Sequence, residues 1–114
     1  MLNISYEIRK GILFIRLSGE LTEITTGKLK KEITDMIEDN GITNVVFNMT
    51  SLSFIDEFGI KSLQENFRIC KKNDGSALLC GINRSFKRYM MRNRCFDKNI
   101  FIDDELSAFN KIIV

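Results

Sequence analysis

Histidine, proline and tryptophan are all missing from this sequence of 114 residues. Without histidine, the chain lacks the side chain that most often serves as a general base and as a metal ligand. Without proline, the ends of its helices depend on glycine, asparagine and aspartate. No apolar run approaches the ~18 residues of a membrane span, and charge appears at Glu7 before any signal-like segment develops. We therefore expect a soluble, cytoplasmic protein with no metal site, no cofactor and no membrane partner.

Cysteine is scarce, and its positions lie far apart, at Cys70, Cys80 and Cys95. An odd number at wide spacing indicates neither a disulfide framework nor a zinc motif. Cys70 and Cys80 fall within apolar patterns, so we expect both to be buried as small hydrophobic side chains. Free thiols of this kind are typical of a reducing compartment.

The composition is that of an ordinary globular domain, with 44% hydrophobic and 28% charged residues. A chain of this length forms one domain with one modest core, so residues 1–114 are predicted to be a single unit. The net charge of +2 is too small to indicate nucleic acid as a partner. We also find no glycine-rich phosphate loop and no nucleophile beside a base, so we do not expect an enzyme.

Apolar periodicity predicts strands and helices in alternation after an opening hairpin that turns at Lys10-Gly11. The predicted strands cover 2–10, 12–19, 44–49, 77–82 and 99–102, and the predicted helices cover 25–39, 56–73, 84–94 and 103–114. Ser85 is a possible cap of the third helix, and Leu106, Phe109 and Ile113 share a face of the last. The order β-β-α-β-α-β-α-β-α predicts an α/β fold with a mixed open sheet and about four helices.

Two adjacent carboxylates mark the corner between the third strand and the second helix. Asp56 suits the N-cap position, where its carboxylate accepts hydrogen bonds from free amides. Glu57 then lies in the first turn, where negative charge is favoured by ~0.3–1 kcal/mol. Both acids are therefore explained by the stability of the helix, without any function.

Phe58 and Gly59 are harder to explain by stability alone. On a helical wheel of about 100° per residue, Phe58 points away from the apolar face formed by Ile60, Leu63 and Phe67. An exposed phenylalanine beside carboxylates is typical of an interface anchor. Glycine in a first turn weakens a helix by ~1 kcal/mol and often marks a close approach of another backbone or a ligand.

Three stretches of the sequence resemble the STAS domain, the fold of bacterial anti-sigma-factor antagonists. The stretch NVVFNMTSLSFIDEFGIKSL is similar to the strand and helix start that carry the signature of the family. LFIRLSGEL is similar to its second strand and the following G-E-L loop, and GSALLCGINRSFKRYM to its later strand, turn and short helix. The resemblance extends over the whole chain and implies a single STAS domain.

The resemblance also implies a switch. In the family, the first serine after the aspartate is phosphorylated by the anti-sigma factor, which is itself a kinase, and phosphorylation breaks the complex. Here Glu57 occupies that acceptor position, Phe58 the next serine position, and Thr22 a position that is usually aspartate. A carboxylate is not a phosphate acceptor, and Glu57 either mimics phosphoserine in part or serves a different partner surface. The hydroxyl groups nearby belong to Thr50, Ser51, Ser53 and Ser62.

By resemblance, the chain is predicted to be a protein-interaction module that binds a kinase-type anti-sigma factor and so regulates a sigma factor. The predicted interface consists of the corner and the loop of residues 20–26, with Thr22, Glu23, Asp56, Glu57, Phe58 and Gly59 as its residues. The alternative is a STAS regulatory subunit of a transporter or larger signalling assembly. In both cases we expect a monomer or weak dimer.

Basic residues cluster in the third helix, at Lys87, Arg88, Arg92 and Arg94. Such a cluster suits nucleic acid or an anionic membrane. It is explained more simply as the solvated face of an amphipathic helix, since Phe86, Tyr89 and Met90 lie between the charges.

Overall fold

A five-stranded mixed sheet organises the protein in the computed structural model, which describes residues 1–92 and 96–113. The strands are β1 (Leu2–Arg9), β2 (Ile12–Leu21), β3 (Asn44–Ile55), β4 (Ser76–Cys80) and β5 (Phe101–Ile102), and they lie side by side in that order. β1 is antiparallel to β2, and the other neighbouring strands are parallel. The predicted mixed sheet is thus confirmed.

Four helices alternate with the strands after the opening hairpin, in the described part of the chain. Helix α1 spans 26–39, with a π-helical turn at Lys30–Thr34 between α-helical Thr26–Leu29 and Asp35–Asp39. The others are α2 (Glu57–Lys72), α3 (Arg84–Arg92) and α4 (Glu105–Ile113), and a short 3-10 turn covers Lys98–Ile100. This order confirms the predicted element sequence. The predicted ends of α3 at Arg94 and of α4 at Val114 lie outside the described residues.

The sheet buries apolar side chains on both faces. Side chains of β2, β3 and β4 alternate between the faces, as Leu13 and Val45 against Phe14 and Val46 show. The first face packs with residues of α1, α2 and α3, and the second with α4. A strand covered on both faces is a nearly continuous apolar run, which is why β3 has the segment VVF directly after Asn44.

The opening hairpin is confirmed and has the turn that its sequence favours. Lys10 and Gly11 both have positive φ, at 53° and 79°, between the paired residues Arg9 and Ile12. Two central residues with positive φ define the turn that matches the twist of a two-residue hairpin.

β3 is longer than its apolar run predicts. β4 stops pairing at Asn48, but β3 continues to Ile55 beside β2 alone, across two register shifts in the pairing. The predictions that the second strand ends at 19 and the third at 49 were therefore wrong, since β2 runs to Leu21 and β3 to Ile55. Residues after Asn48 have a strand neighbour on one side only, and buried and exposed side chains alternate less regularly there. Because many of these side chains are polar, the sequence pattern does not indicate a strand. This extension carries the end of β3 beyond the end of β4.

Two smaller predictions were also wrong. The amide of Phe86 donates to the side chain of Asn83 at 3.0 Å, so Asn83 rather than Ser85 caps the start of α3. The apolar face of α4 predicted from Leu106, Phe109 and Ile113 is not the face that the helix buries. Leu106 is 70% exposed and Ile113 is also exposed, while Ala108 is buried. The helix is rotated about its axis relative to this prediction, because its first residue, Glu105, faces the sheet.

Glu105 holds α4 against the sheet through a polar cluster. Its carboxylate accepts from Arg16 Nε at 2.8 Å, from Arg16 Nη2 at 2.7 Å and from Asn48 Nδ2 at 2.8 Å. Arg16 also donates to Glu7 at 2.6 Å. The hydrogen bonds from Arg16 lower the pKa of Glu105 despite its partial burial, and Asn48 lowers it further.

The two described cysteines are buried, as predicted. Burial raises the pKa of Cys70 to about 11 and that of Cys80 to about 12. Both thiols are therefore protonated near neutral pH and act as small apolar side chains. Cys95 lies outside the described residues.

Candidate functional site

Asp56 links the two segments of the predicted interface. Its backbone is extended, and its Oδ1 accepts from the amide of Gly59 at 2.8 Å, so the predicted N-cap of α2 is confirmed. Its Oδ2 accepts from the amide of Glu23 at 3.0 Å. The Asp56 amide donates to the carbonyl oxygen of Leu21 at 3.2 Å. The end of β2 and the start of α2 are therefore joined at a single residue.

These contacts keep Asp56 charged. Partial desolvation raises the pKa of its carboxyl group, but hydrogen bonds from the amides of Gly59, Glu23 and Phe58 outweigh that effect. The net result is a pKa below the usual value for aspartate. A negative charge at this end of the helix is further favoured by the helix dipole.

A hydrogen-bonded turn holds the loop between β2 and α1. The amides of Thr25 and Thr26 donate to the carbonyl oxygen of Thr22 at 3.0 and 2.9 Å. The Thr25 hydroxyl accepts from the amide of Thr22 at 2.9 Å and donates to the carbonyl oxygen of Glu20 at 2.8 Å. Ile24 donates its amide to the hydroxyl of Thr22 at 3.3 Å. Thr22 thus organises the turn, and Glu23 at its tip reaches Asp56.

Gly59 is required by a close approach of backbone, one of the two explanations that its position suggested. A Cβ atom at this position would overlap the carbonyl oxygen of Leu21 and lie 2.8 Å from Cγ1 of Ile55. The start of α2 therefore packs directly on the end of β2. A side chain here would push the two apart and disturb the Asp56 bridge.

Glu57 and Phe58 lie on the exposed side of the first turn of α2. Phe58 is 40% exposed, as predicted, and the ammonium group of Lys61 lies 5.6 Å from its ring centre. Leu63 is buried as predicted, while Phe67 is only partly buried, against Phe47 and Phe96. The surface at the corner thus presents an aromatic ring beside a carboxylate.

Sequence reasoning missed two exposed apolar side chains close to this corner. Ile24, at the tip of the turn, is 92% exposed, and Phe54, which pairs with Glu20 at the end of β3, is 49% exposed. Ile24 was part of a predicted loop, and an isolated apolar residue in a loop carries no periodic signal. Phe54 falls in the part of β3 that the sequence pattern did not reveal.

The arrangement suits a surface that contacts another protein. It combines a hydrogen-bonded backbone with exposed apolar side chains, among them Phe58, and aromatic side chains are enriched at protein interfaces. Among residues 1–92 and 96–113, no group of three or more potential ligands is placed to hold a metal ion. No helix among these residues is both long and apolar enough to cross a bilayer.

The basic helix α3 follows the end of β4, whereas the corner follows the end of β3. Arg84, Lys87, Arg88 and Arg92 are exposed, and Met90 is buried. Lys87 lies 5.3 Å from the ring centre of Phe101. This arrangement agrees with the simpler explanation, a solvated face of an amphipathic helix. Arg94 lies outside the described residues.

The fold agrees with the similarity of the sequence to known proteins. The family model of the STAS domain matches residues 3–108. The chain belongs to the STAS domain family. The match covers both the loop of the Thr22 turn and the corner at Asp56, so the candidate site lies within the family's shared domain.

Comparisons with known proteins extend this result. An anti-sigma F factor antagonist from Paenibacillus polymyxa is 24% identical over 113 residues, which span 99% of this chain and 97% of that protein. The Bacillus cell fate determinant SpoIIAA in its phosphorylated form has the same fold, with a TM-score of 0.79 at 20% identity, over 96% of this chain and 99% of that chain.

A transporter contains the same fold. The murine anion transporter named solute carrier 26 family member A9 matches with a TM-score of 0.76 at 14% identity, over 94% of this chain and 18% of the transporter chain. The fold thus occurs both as a small antagonist and as one part of a membrane transporter. The STAS fold alone does not distinguish the two functions.

Proposed function

We propose that the chain is an antagonist of an anti-sigma factor: it binds a kinase-type anti-sigma factor and thereby releases a sigma factor. Its contact surface consists of the Thr22 turn with Glu23 and of the corner with Asp56, Glu57, Phe58 and Gly59. The similarity to the Paenibacillus antagonist, which extends over nearly the whole of both chains, supports this proposal.

The observation that carries the proposal is the exposure of Glu57 and Phe58 at the first two positions of α2. By its resemblance to the family, Glu57 corresponds to the phosphate-accepting serine, and the side chain is exposed, which supports the proposal. Asp56 and Gly59, on either side, serve the local structure through the cap and the close packing. The exposed pair is therefore free to serve recognition.

Glu57 supplies a permanent negative charge where the family carries a switchable one. Phosphoserine brings about −1.5 to −2 charges and three acceptor oxygens, and a glutamate brings one charge. In the part of the chain that the structure describes, Glu57 forms no salt bridge that would neutralise it. The partner therefore meets an uncompensated carboxylate, and control through phosphorylation of this position is absent.

A release assay tests the proposal. The purified chain is added to complexes of each kinase-type anti-sigma factor with its sigma factor from the same genome, and free sigma factor is measured by size-exclusion chromatography. We expect release by the wild-type chain, weaker release by Phe58→Ala, and unchanged release by Leu106→Ala, a truncation of an exposed apolar residue on α4. If no complex releases its sigma factor, the proposal is wrong.

The second candidate function is a STAS regulatory subunit of a transporter or larger assembly. The fold of the murine transporter domain supports it, since that domain has the same topology as the present chain. Affinity purification with the corner intact and with Phe58→Ala separates the two functions. Specific recovery of a transport protein, lost in the variant, favours this second function over sigma-factor control.

A further inference from the structure

Ile24 is the most exposed of the large apolar side chains that the structure describes. It is 92% exposed, at the tip of the turn formed by residues 22–25. An isolated exposed apolar residue is common on protein surfaces and needs no explanation by itself. The position of Ile24, its fixed backbone and its charged surroundings distinguish it from that ordinary case.

The backbone around Ile24 is fixed from both sides. The Ile24 amide donates to the Thr22 hydroxyl, and the amide of Thr25 donates to the Thr22 carbonyl oxygen. The preceding amide, of Glu23, donates to Asp56. The turn therefore presents Ile24 to solvent from an ordered backbone, so this chain loses little backbone entropy at the turn when a partner binds.

Ile24 and Phe58 belong to one surface because Asp56 joins their backbones. One carboxylate accepts from Glu23, the residue before Ile24, and from Gly59, the residue after Phe58. Each apolar side chain also has a glutamate directly before it in the chain, Glu23 and Glu57, and both glutamates are exposed. The surface thus contains two similar pairs, each made of an exposed apolar side chain and the glutamate that precedes it.

We infer that Ile24 is a second apolar anchor of this surface, and that the anti-sigma partner receives Ile24 and Phe58 in two apolar pockets bordered by Lys or Arg side chains. The inference rests on the proposed function and adds to it the chemistry of the partner. Charge complementarity is the reason for the basic border, since Glu23 and Glu57 directly precede the two anchors in the chain and the Asp56 carboxylate joins their backbones.

Calorimetric titration with the kinase-type anti-sigma factors of the same genome tests the inference. Ile24→Ala should raise the dissociation constant about tenfold or more, as expected for an interface anchor. Leu106→Ala, the matched truncation of an exposed apolar residue elsewhere, should leave it within about twofold. Neither change should shift the unfolding midpoint, since both side chains are largely exposed.

The possible outcomes separate this inference from the proposed function. If Phe58→Ala weakens binding and Ile24→Ala does not, the second anchor is wrong while the proposed function stands. Equal weakening by Ile24→Ala and Leu106→Ala also refutes it, because it indicates nonspecific adhesion. If the wild-type chain binds none of the anti-sigma factors, both the proposed function and the second anchor are wrong. If the dissociation constants of the wild type and of Glu23→Gln are both independent of salt concentration, the proposed Lys or Arg side chains around the partner's pockets are contradicted.

Discussion

Asp56 and Glu23, which are 33 residues apart in the chain, are joined by a hydrogen bond from the Glu23 amide to the Asp56 carboxylate, at 3.0 Å. The same carboxylate caps α2 through Gly59. The turn after β2 and the first turn of α2 are therefore held in a fixed relation. Residues on either segment are presented together, which is the structural basis for treating the two as one contact surface.

Asp56→Ala should lower the free energy of unfolding by ~0.5–2 kcal/mol, the usual cost of losing an N-cap. The variant loses the bond to Glu23 as well, so we expect a value in the upper part of that range. Glu57→Ala is the matched control, because it removes an adjacent carboxylate that does not cap the helix, and it should cost only a few tenths. Urea unfolding of both variants at neutral pH measures the difference, and equal losses would contradict the assignment of the cap.

The contribution of Asp56 should also depend on pH. Its pKa is lowered in the folded protein, so its stabilising effect is complete above the pKa of the unfolded chain. The effect is lost as the pH falls through the lower, folded-state pKa. The difference in unfolding free energy between wild type and Asp56→Ala should therefore shrink in acid. A difference that stays constant to the lowest pH at which the protein folds would refute this linkage.

Gly59→Ala and Gly27→Ala should have opposite effects on stability, although both glycines lie in helices. A Cβ at Gly59 meets the carbonyl oxygen of Leu21, whereas a Cβ at Gly27 meets nothing within 4 Å. Overpacking of the first kind typically costs ~1–3 kcal/mol, and glycine to alanine in an open helix gains up to ~1 kcal/mol. Thermal unfolding of the two variants provides the comparison. Stabilisation by alanine at both positions would show that the close packing at Leu21 is unimportant.

The periodicity of the sequence predicted the order of the elements because each helix and most strands bury a regular face. It failed where regular burial ends. After Asn48, β3 runs beside β2 alone, and its polar residues have the composition of a loop. In α4, the contact of Glu105 with Arg16 sets the rotation of the helix. A partner so distant in sequence is not encoded in the local pattern.

In the candidate site, too, local features were predictable from the sequence and contacts between distant segments were not. The cap by Asp56 was predictable, since an N-cap depends on residues within one turn. The second bond of the same carboxylate, to Glu23, was not, because it requires the parallel pairing of β2 with β3. The exposure of Phe58 followed from the helical wheel, whereas that of Ile24 depends on hydrogen bonds of the turn that no period describes.

Glu105→Gln should destabilise the protein by ~1–2 kcal/mol near neutral pH, since hydrogen bonds to charged groups contribute more than neutral ones. Glu65→Gln is the control: Glu65 pairs with Arg68 on the exposed surface of α2, and such pairs contribute little. The folded-state pKa of Glu105 is lowered, so the advantage of the wild type is present above the ordinary glutamate pKa and disappears as the pH falls through the lowered value. Urea unfolding as a function of pH measures it, and equal losses in the two variants would contradict a special role for Glu105.

Glu57→Ser tests what the fixed charge of Glu57 does at the position that we propose as the counterpart of the family's acceptor serine. The substitution removes a carboxylate from an exposed position and introduces a hydroxyl group, so its effect on stability should be small. We expect the kinase-type anti-sigma factor to incorporate phosphate into this variant and not into the wild type at this position. Radiolabelled ATP with mass-spectrometric assignment of the modified residue measures it, and Glu57→Ala is the control that lacks both carboxylate and hydroxyl.

The affinities of the same three proteins decide the direction of the signal. Tighter binding by Glu57→Ser and Glu57→Ala than by wild type means that the glutamate opposes the complex, as a phosphate does, because its negative charge is unfavourable at the interface. Weaker binding by both means that the carboxylate is a direct contact with a basic group of the partner. We expect the second result, since the exposed glutamates beside Ile24 and Phe58 fit a partner with basic borders. If all three proteins bind equally, Glu57 contributes only to the helix start and has no regulatory role.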